Sequence, residues 1–299
     1  GKGIEQTLQS LPLLFSICST AQATAAVRAC EQALGGKPVT AVEQRREQLL
    51  MMETIREHLW RVLLGWSELL GKAPVEAAMA GVMLIQQQLQ QTLTAGTSLS
   101  LLAPVLPQPA SITPQQQQLK KVLEEALFGS SPEAWLEMEQ IDQLLAWSRQ
   151  HESVATQFIR YLERNQWSQL GRSDSIHLPE LESIILEQQL QQSNFVAQPL
   201  WNGTACETSP LTRTHTPLLD RLQHHYGSGL LTRSVARLTE LAQLVLQLDT
   251  PTLSTAVTAT QPNTGFGVAQ AARGQLLHHV TVDGDHIQRY QILAPTEWH

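Results

Sequence analysis

Apolar side chains recur every three to four residues over long stretches of this chain. Residues 43–70 carry Leu, Ile, Val and Trp at that spacing between charged positions, which predicts an amphipathic helix that buries one stripe. Residues 74–93 predict a second, more apolar helix, and 178–190 and 215–248 predict others. We therefore expect most of the chain to be α-helical.

Prolines divide these helical regions. The segment 102–109 contains three prolines, and because proline removes an amide donor and restricts its predecessor, we predict a linker near 102–114. Thr113-Pro114 and Ser131-Pro132 each place a hydroxyl before a proline, which predicts a capped helix start at both positions.

The sheet signal lies near the C-terminus. Two β-prone runs, 275–282 and 286–293, flank Asp283-Gly284, a pair typical of a tight hairpin turn. We predict a mainly α fold with a small β part (α+β), organised as a single domain over 1–299 with a C-terminal hairpin at 275–293.

Composition and charge narrow the classes of partner. The chain has 299 residues, and 20 basic against 27 acidic side chains give a formal charge of -7. Without a Lys/Arg-rich run, neither a nucleic acid nor an anionic membrane is an expected partner. No stretch reaches the roughly 18 apolar residues of a membrane span, and no signal-peptide pattern occurs. Three scattered cysteines fit a reducing compartment, so we expect a cytoplasmic protein.

Common catalytic and zinc motifs are missing. Gly227-Ser228-Gly229 lacks the GxSxG spacing of a serine hydrolase, and neither a P-loop nor GxGxxG occurs. CxxC, HxxxH and HExxH are also absent. The pairs His224-His225 and His278-His279 chelate poorly, because adjacent side chains point apart. A site that joins His286 to His278 or His279 stays open, although a hairpin surface is the favoured interpretation.

Cys18 is the most informative of the three cysteines. It opens a run of small residues that ends at Glu31, so its surroundings resemble a metal site while most ligands are missing. A buried, apolar cysteine is the alternative. Cys30 lies more than three helical turns further on and is interpreted as core, and Cys206 is a weaker candidate ligand beside Glu207.

Four separated segments together resemble the large subunit of [NiFe] hydrogenases. Residues 2–5 resemble its RGxE element, and 14–31 resemble its first cysteine motif, RxCGxCxxxH. Residues 203–213 resemble GxxxExGPLAR, while 265–274, with the hairpin and the Pro-Thr-Glu-Trp that follows it, resemble GxGxxEAPRG and PTxW. The segments occur in the family's order, so the resemblance implies a degenerate large-subunit-like fold.

The departures from the family pattern bear on the metal. With Glu31 aligned, Cys18 takes the place of the second cysteine, Gln22 that of the histidine and Phe15 that of the first cysteine. The resemblance implies that the second cysteine bridges nickel and iron and that the first binds nickel alone. The family's DPCxxCxxH motif would follow His299. We therefore expect neither nickel nor hydrogen turnover, since thiolate-rich centres lose affinity with each ligand removed.

Other residues acquire roles only through the resemblance. Arg273 matches the arginine beside the cyanide ligands of the iron, and a guanidinium suits an anionic diatomic ligand. Cys18, Arg273 and Gln22 are thus candidates for transient binding of an Fe(CN)2(CO) unit. Glu5 matches a glutamate associated with proton movement, with a structural salt bridge as the favoured alternative. Glu207 and Arg213 are interpreted as a buried framework.

The combination resembles the HupK/HoxV group of hydrogenase accessory proteins. It implies a non-catalytic scaffold or chaperone of hydrogenase maturation, which holds or transfers the iron unit or mimics the large subunit. The implied partners are a HypC-type chaperone, a HypD-type iron-sulfur protein and the apo large subunit. Two alternatives stay open: a catalytic large subunit with further cysteines beyond His299, and a metal-free interaction subunit like the one in respiratory complex I.

Overall fold

The computed structural model describes residues 1–15, 17–94, 101, 111–173, 176–253 and 256–298. Helices dominate, with a short parallel strand pair and a three-stranded antiparallel sheet. No helix in these ranges is both long and apolar enough to cross a membrane.

The α-helices are α1 (Ile4–Leu14), α2 (Ser19–Ala33), α3 (Thr40–Trp60), α4 (Ser67–Leu69), α5 (Glu76–Thr94), α6 (Thr113–Leu123), α7 (Pro132–Leu136), α8 (Ile141–Gln150), α9 (Val154–Arg164), α10 (Ser183–Leu190), α11 (Pro210–Arg213), α12 (Pro217–Tyr226) and α13 (Leu230–Gln247). The strands are β1 (Ile176–His177), β2 (Cys206–Glu207), β3 (Thr264–Ala271), β4 (Gly274–Asp283) and β5 (His286–Leu293).

The helix predicted over 43–70 is confirmed as α3, a π-helical turn at Arg61–Trp66 and α4. The helix predicted over 74–93 is confirmed as α5. These helices pack with α6 to α9, α12 and α13 around the largest apolar core, as their periodic stripes require. The stacked rings of Trp66 and Phe158, with centroids 4.3 Å apart, belong to this core.

The two predicted proline starts differ. The hydroxyl of Ser131 accepts a hydrogen bond from the amide of Ala134, which confirms the cap of α7. The cap predicted at Thr113 is wrong, because Thr113 is already inside α6 and Ile112 precedes the helix. Most of the predicted linker, 102–110, lies outside the described residues.

The C-terminal sheet is larger than the sequence predicts. β4 and β5 form the expected hairpin, with Asp283 opposite His286. β3 adds a third strand, antiparallel to β4, and the two are joined by the turn at Ala272 and Arg273. The sequence pattern misses β3 because nearly every position of Thr264–Ala271 is buried, which removes the alternation of a half-exposed strand.

Helix α2 lies directly on β3, and glycine makes this approach possible. A Cβ atom added at Gly265 would lie 2.0 Å from the carbonyl oxygen of Ala29, and one added at Gly267 would lie 1.8 Å from that of Ala25. The run of small residues in α2 therefore serves close helix-to-sheet contact. Because successive contacts run in opposite directions along the two elements, the start of α2 lies at the end of β3.

The N-terminal segment is tied to the opposite end of the sheet. The amide of Ile4 donates to the carbonyl of Asp285 at 2.9 Å, and the amide of Ile287 donates to that of Lys2 at 3.0 Å. Glu5 is exposed. Its expected salt bridge does not form with any residue that the structure describes.

Candidate functional site

The antiparallel packing of α2 on β3 brings Cys18 close to Arg273. Cys18 immediately precedes α2, and Arg273 lies in the turn that follows β3. The thiol is partly exposed and Arg273 is exposed. Burial raises the pKa of Cys18, while the nearby charge of Arg273 acts to lower it. These two predicted site residues therefore share one electrostatic environment, although about 250 residues separate them in sequence.

A carboxylate holds the start of α2 in place. Glu53 on α3 accepts hydrogen bonds from the amides of Thr20 at 2.8 Å and Ala21 at 3.0 Å. Free amides at a helix start would stabilise a thiolate, but here they are already bound to a buried acid. Beyond the effect of burial, Glu53 and Glu57 raise the pKa of Cys18 further. The side chain is therefore a thiol, not a thiolate, near neutral pH.

A chain of hydrogen bonds leads from Cys18 into the sheet. Gln22 Nε2 donates to Cys18 Sγ at 3.9 Å, and Gln22 Oε1 lies 2.9 Å from His278 Nε2. His278 Nδ1 lies 2.7 Å from the hydroxyl of Tyr290. Burial lowers the pKa of His278 to about 3, so the ring is neutral. With the proton on Nε2, Tyr290 donates to Nδ1 of His278, Nε2 donates to Gln22, and Gln22 donates to Cys18.

His278 and Tyr290 belong to this hydrogen-bonded chain, although the sequence pattern does not predict it. The predicted hairpin surface at His278-His279 is wrong, because both side chains are buried. The two rings do point to opposite faces, since His279 packs against Phe266 with centroids 4.8 Å apart. His286 is exposed at the β4–β5 turn beside Asp285, so it does not join either ring in a metal site. The missing signal was α2 itself, which covers the strand face carrying His278.

Cys30 and Cys206 lie away from Cys18. Cys30 packs with Ile4 and the β4–β5 hairpin, and burial raises the pKa of its thiol to about 12. Cys206 lies in another apolar cluster, where its thiol donates to the carbonyl of Thr204 at 3.6 Å. The described part of the chain contains no group of three or more His, Cys, Asp or Glu residues able to hold a metal. These side chains do not fit a four-thiolate nickel-iron centre.

Glu207 and Arg213 anchor their loop to α13. Glu207 accepts a hydrogen bond from Ser209 at 2.7 Å and pairs with Arg233, whose Nη2 lies 2.6 Å from Oε2. Arg213 pairs with Glu240 through Nη2 and Oε2 at 3.0 Å. Glu207 and Arg213 thus each form an ion pair with a residue of α13, and they do not pair with each other.

Glu240 is the central anion of the second pair. His58 Nε2 lies 2.6 Å from Glu240 Oε2, on the same carboxylate that Arg213 contacts. Burial favours the neutral acid, yet Arg213 and His58 together lower the pKa of Glu240 to about 2. This network fixes α3, α11 and α13 relative to one another beside the site.

A cleft of about 800 Å³ opens next to Arg273, between α3, α13 and the β3–β4 turn. Its lining includes four arginines and one glutamate, and Ile17 brings the chain next to Cys18 to its edge. Arg56 Nη2 donates to the carbonyl of Ile17 at 3.0 Å, which holds this loop on α3. His224 and His225 line a different cleft, beside α8.

Comparison with known proteins identifies relatives with named roles. The hydrogenase expression/formation protein HupK of Azotobacter vinelandii is 29% identical over 315 residues, which cover 100% of this chain and 76% of that protein. HoxV of Cupriavidus necator, also called a hydrogenase expression/formation protein, is 27% identical over 318 residues, covering 100% and 77%. This chain is similar to hydrogenase formation proteins along its whole length.

Catalytic hydrogenases share the fold. The sequence family described as Nickel-dependent hydrogenase matches residues 225–299. A reduced, active Ni-Fe-Se hydrogenase from Desulfomicrobium baculatum superposes with a TM-score of 0.64 at 15% identity, covering 100% of this chain and 81% of that chain. The predicted resemblance to the HupK/HoxV group and the predicted large-subunit-like fold are both confirmed.

Proposed function

We propose that this protein is a non-catalytic assembly scaffold for [NiFe] hydrogenases, which holds or transfers the Fe(CN)2(CO) unit beside Cys18. The observation that carries the proposal is the pairing of one accessible thiol with an exposed arginine on a large-subunit fold. The relatives' names, which concern hydrogenase expression and formation, support a role in maturation.

The chemistry of the site suits an iron unit as cargo. The thiol of Cys18 must lose its proton to ligate iron, and its raised pKa keeps it protonated until a metal competes for the sulfur. Gln22 orients the sulfur through its amide, and His278 in turn orients Gln22. The guanidinium of Arg273 is free to donate hydrogen bonds to an anionic ligand such as cyanide.

The same donor set argues for assembly over catalysis. Phe15 stands where the family resemblance expects a nickel ligand, and Cys30 and Cys206 are buried in other clusters. We therefore expect no nickel and no hydrogen turnover. A retained large-subunit fold without these ligands also suits a protein that presents large-subunit surfaces to a HypC-type chaperone, a HypD-type iron-sulfur protein or the apo large subunit.

A genetic test separates cargo binding from surface mimicry. In cells lacking this protein, we expect hydrogenase activity to be restored by the unmodified chain and by Cys30→Ala, which changes only a buried thiol. Cys18→Ser should restore little activity while retaining the normal set of co-purifying maturation proteins. Full restoration by Cys18→Ser would reject cargo binding and leave a metal-free interaction subunit. Loss of partners in every variant would point to a folding defect, which the unfolding midpoint would reveal.

A further inference from the structure

Three arginines that form no direct ion pair line the cleft beside the β3–β4 turn. Arg61 comes from the π-helical turn after α3, Arg237 from α13 and Arg273 from the β3–β4 turn. Within the described ranges, none of the three side chains forms an ion pair or a hydrogen bond. Arg237 is partly buried, and burial together with repulsion from Arg61 lowers its pKa to about 10, although the charge of Glu240 acts in the opposite direction. A negatively charged ligand would further stabilise the charged guanidinium.

The other charged residues in and beside the cleft do not neutralise the three arginines. Arg56 donates to Glu57 at 2.6 Å, so these two charges compensate each other. Glu240 is already bound by Arg213 and His58. Burial lowers the pKa of His58, which therefore adds no charge near neutral pH. In a chain whose formal net charge is -7, the cleft is a local concentration of uncompensated positive charge.

The size and walls of the cleft indicate a ligand larger than a simple ion. A volume of about 800 Å³ corresponds to roughly 25 molecules of liquid water. Trp60 and Met83 line it with side chains that are 53% and 45% exposed, and Ile17 at its edge is 54% exposed. Apolar surface next to unpaired guanidinium groups fits a peptide that carries both carboxylates and apolar side chains.

We propose that this cleft binds an acidic, partly apolar peptide segment of a partner protein, with Arg61, Arg237 and Arg273 contacting its carboxylates. The proposal does not depend on iron, because the cleft and its charges belong to the protein alone. Arg273 takes part in both sites, so a bound segment would cover the side of the molecule on which Cys18 is exposed.

Fluorescence anisotropy on the metal-free protein tests the proposal. The probe is a labelled peptide in which glutamates alternate with leucines, and the control probe carries glutamines in place of the glutamates. We expect binding of the acidic probe only, weakened by added salt. Arg61→Gln and Arg237→Gln should each weaken it about tenfold, as expected for one charged hydrogen bond. Arg164→Gln, which removes an exposed arginine at the end of α9, should leave it unchanged.

Several results would overturn the proposal. Equal binding of the glutamine probe would make the surface merely apolar, and full displacement by equimolar inorganic phosphate or AMP would make it a site for small anions or nucleotides. Unchanged affinity in Arg61→Gln would also exclude the cleft, because Arg61 is exposed and its replacement should not disturb folding. If Cys18→Ser lost the cargo function but bound the peptide normally, peptide binding at the cleft would be shown to be independent of the proposed function.

Discussion

The direct packing of α2 on β3 makes Gly267 the most informative position for substitution. A methyl group at Gly267 would lie 1.8 Å from the carbonyl oxygen of Ala25 and 2.6 Å from the amide nitrogen of Ala29. Both are backbone atoms, so no side chain can rotate to make room. Because ordinary contact begins at 3.4 Å, the helix must retreat from the strand by about 1.6 Å.

We expect Gly267→Ala to destabilise the protein by about 3 kcal/mol, the upper end of the usual range for overpacked cores. The backbone of Gly267 lies outside the left-handed region, so alanine adds no conformational strain of that kind. The retreat of α2 would also move Cys18 away from Arg273 and Gln22 away from His278. The matched control is Gly81→Ala on α5, where an added methyl meets no atom within 4 Å and should stabilise the helix by about 1 kcal/mol or less.

Urea unfolding followed by tryptophan fluorescence measures the free energy of unfolding of both variants. The pH dependence of Cys18 alkylation by iodoacetamide reports the environment of the thiol, since Cys30 and Cys206 are fully buried. If Gly267→Ala unfolds like the unmodified chain and its Cys18 titrates unchanged, close contact between α2 and β3 does not position the site.

The remaining predictions concern the network around the site. Glu240→Gln should destabilise the protein by about 3–5 kcal/mol, because it leaves Arg213 facing no anion. In the unmodified chain, the Glu240 pKa of about 2 against the ordinary 4.5 gives about 3 kcal/mol of stability, which is present above pH 4.5 and lost as the pH falls toward 2. Urea unfolding at several pH values should therefore show that the free energy of unfolding falls less steeply with decreasing pH in Glu240→Gln. An equally steep fall in both proteins would contradict this. Gln22→Leu should raise the pKa of Cys18, measured by alkylation, because it removes the hydrogen bond to Sγ. It should also cost about 1–3 kcal/mol, because the buried Nε2 of His278 loses its partner while Nδ1 keeps its bond to Tyr290. A lower pKa of Cys18 would refute the hydrogen-bond chain. Gly274→Ala should destabilise the turn that carries Arg273. The φ of 140° at Gly274 is unfavourable for alanine, and the added methyl would lie 2.3 Å from the carbonyl oxygen of Thr208. An unchanged unfolding midpoint would exclude that contact.

The long amphipathic helices and the hairpin follow from local pattern, and the sequence predicts them well. Residues 43–70 and 275–293 carry periodic signals that tertiary contacts reinforce. β3 has no such signal, because α2 and β4 bury nearly all of its positions and its glycines read as loop. The contact between α2 and β3 joins residues that are far apart in sequence, so a window of neighbouring residues cannot predict it.

The site was predicted in part for the same reason. The family resemblance groups Cys18 and Arg273 as candidates, and the antiparallel contact of α2 with β3 is what places them near each other. His278 reads as hairpin surface until α2 covers it and Gln22 becomes its partner. The ion pairs of Glu207 and Arg213 with α13 depend on residues in separate helices, which spacing along the chain does not relate.

Infrared spectroscopy tests the central claim most directly. The full chain should be purified from cells that make the hydrogenase cofactor and compared with Cys18→Ser and Cys30→Ala prepared in the same way. We predict cyanide and carbonyl stretching bands in the unmodified protein and in Cys30→Ala, and their loss in Cys18→Ser. Bands of equal intensity in Cys18→Ser, or no bands in any of the three proteins, would contradict an iron unit held at Cys18.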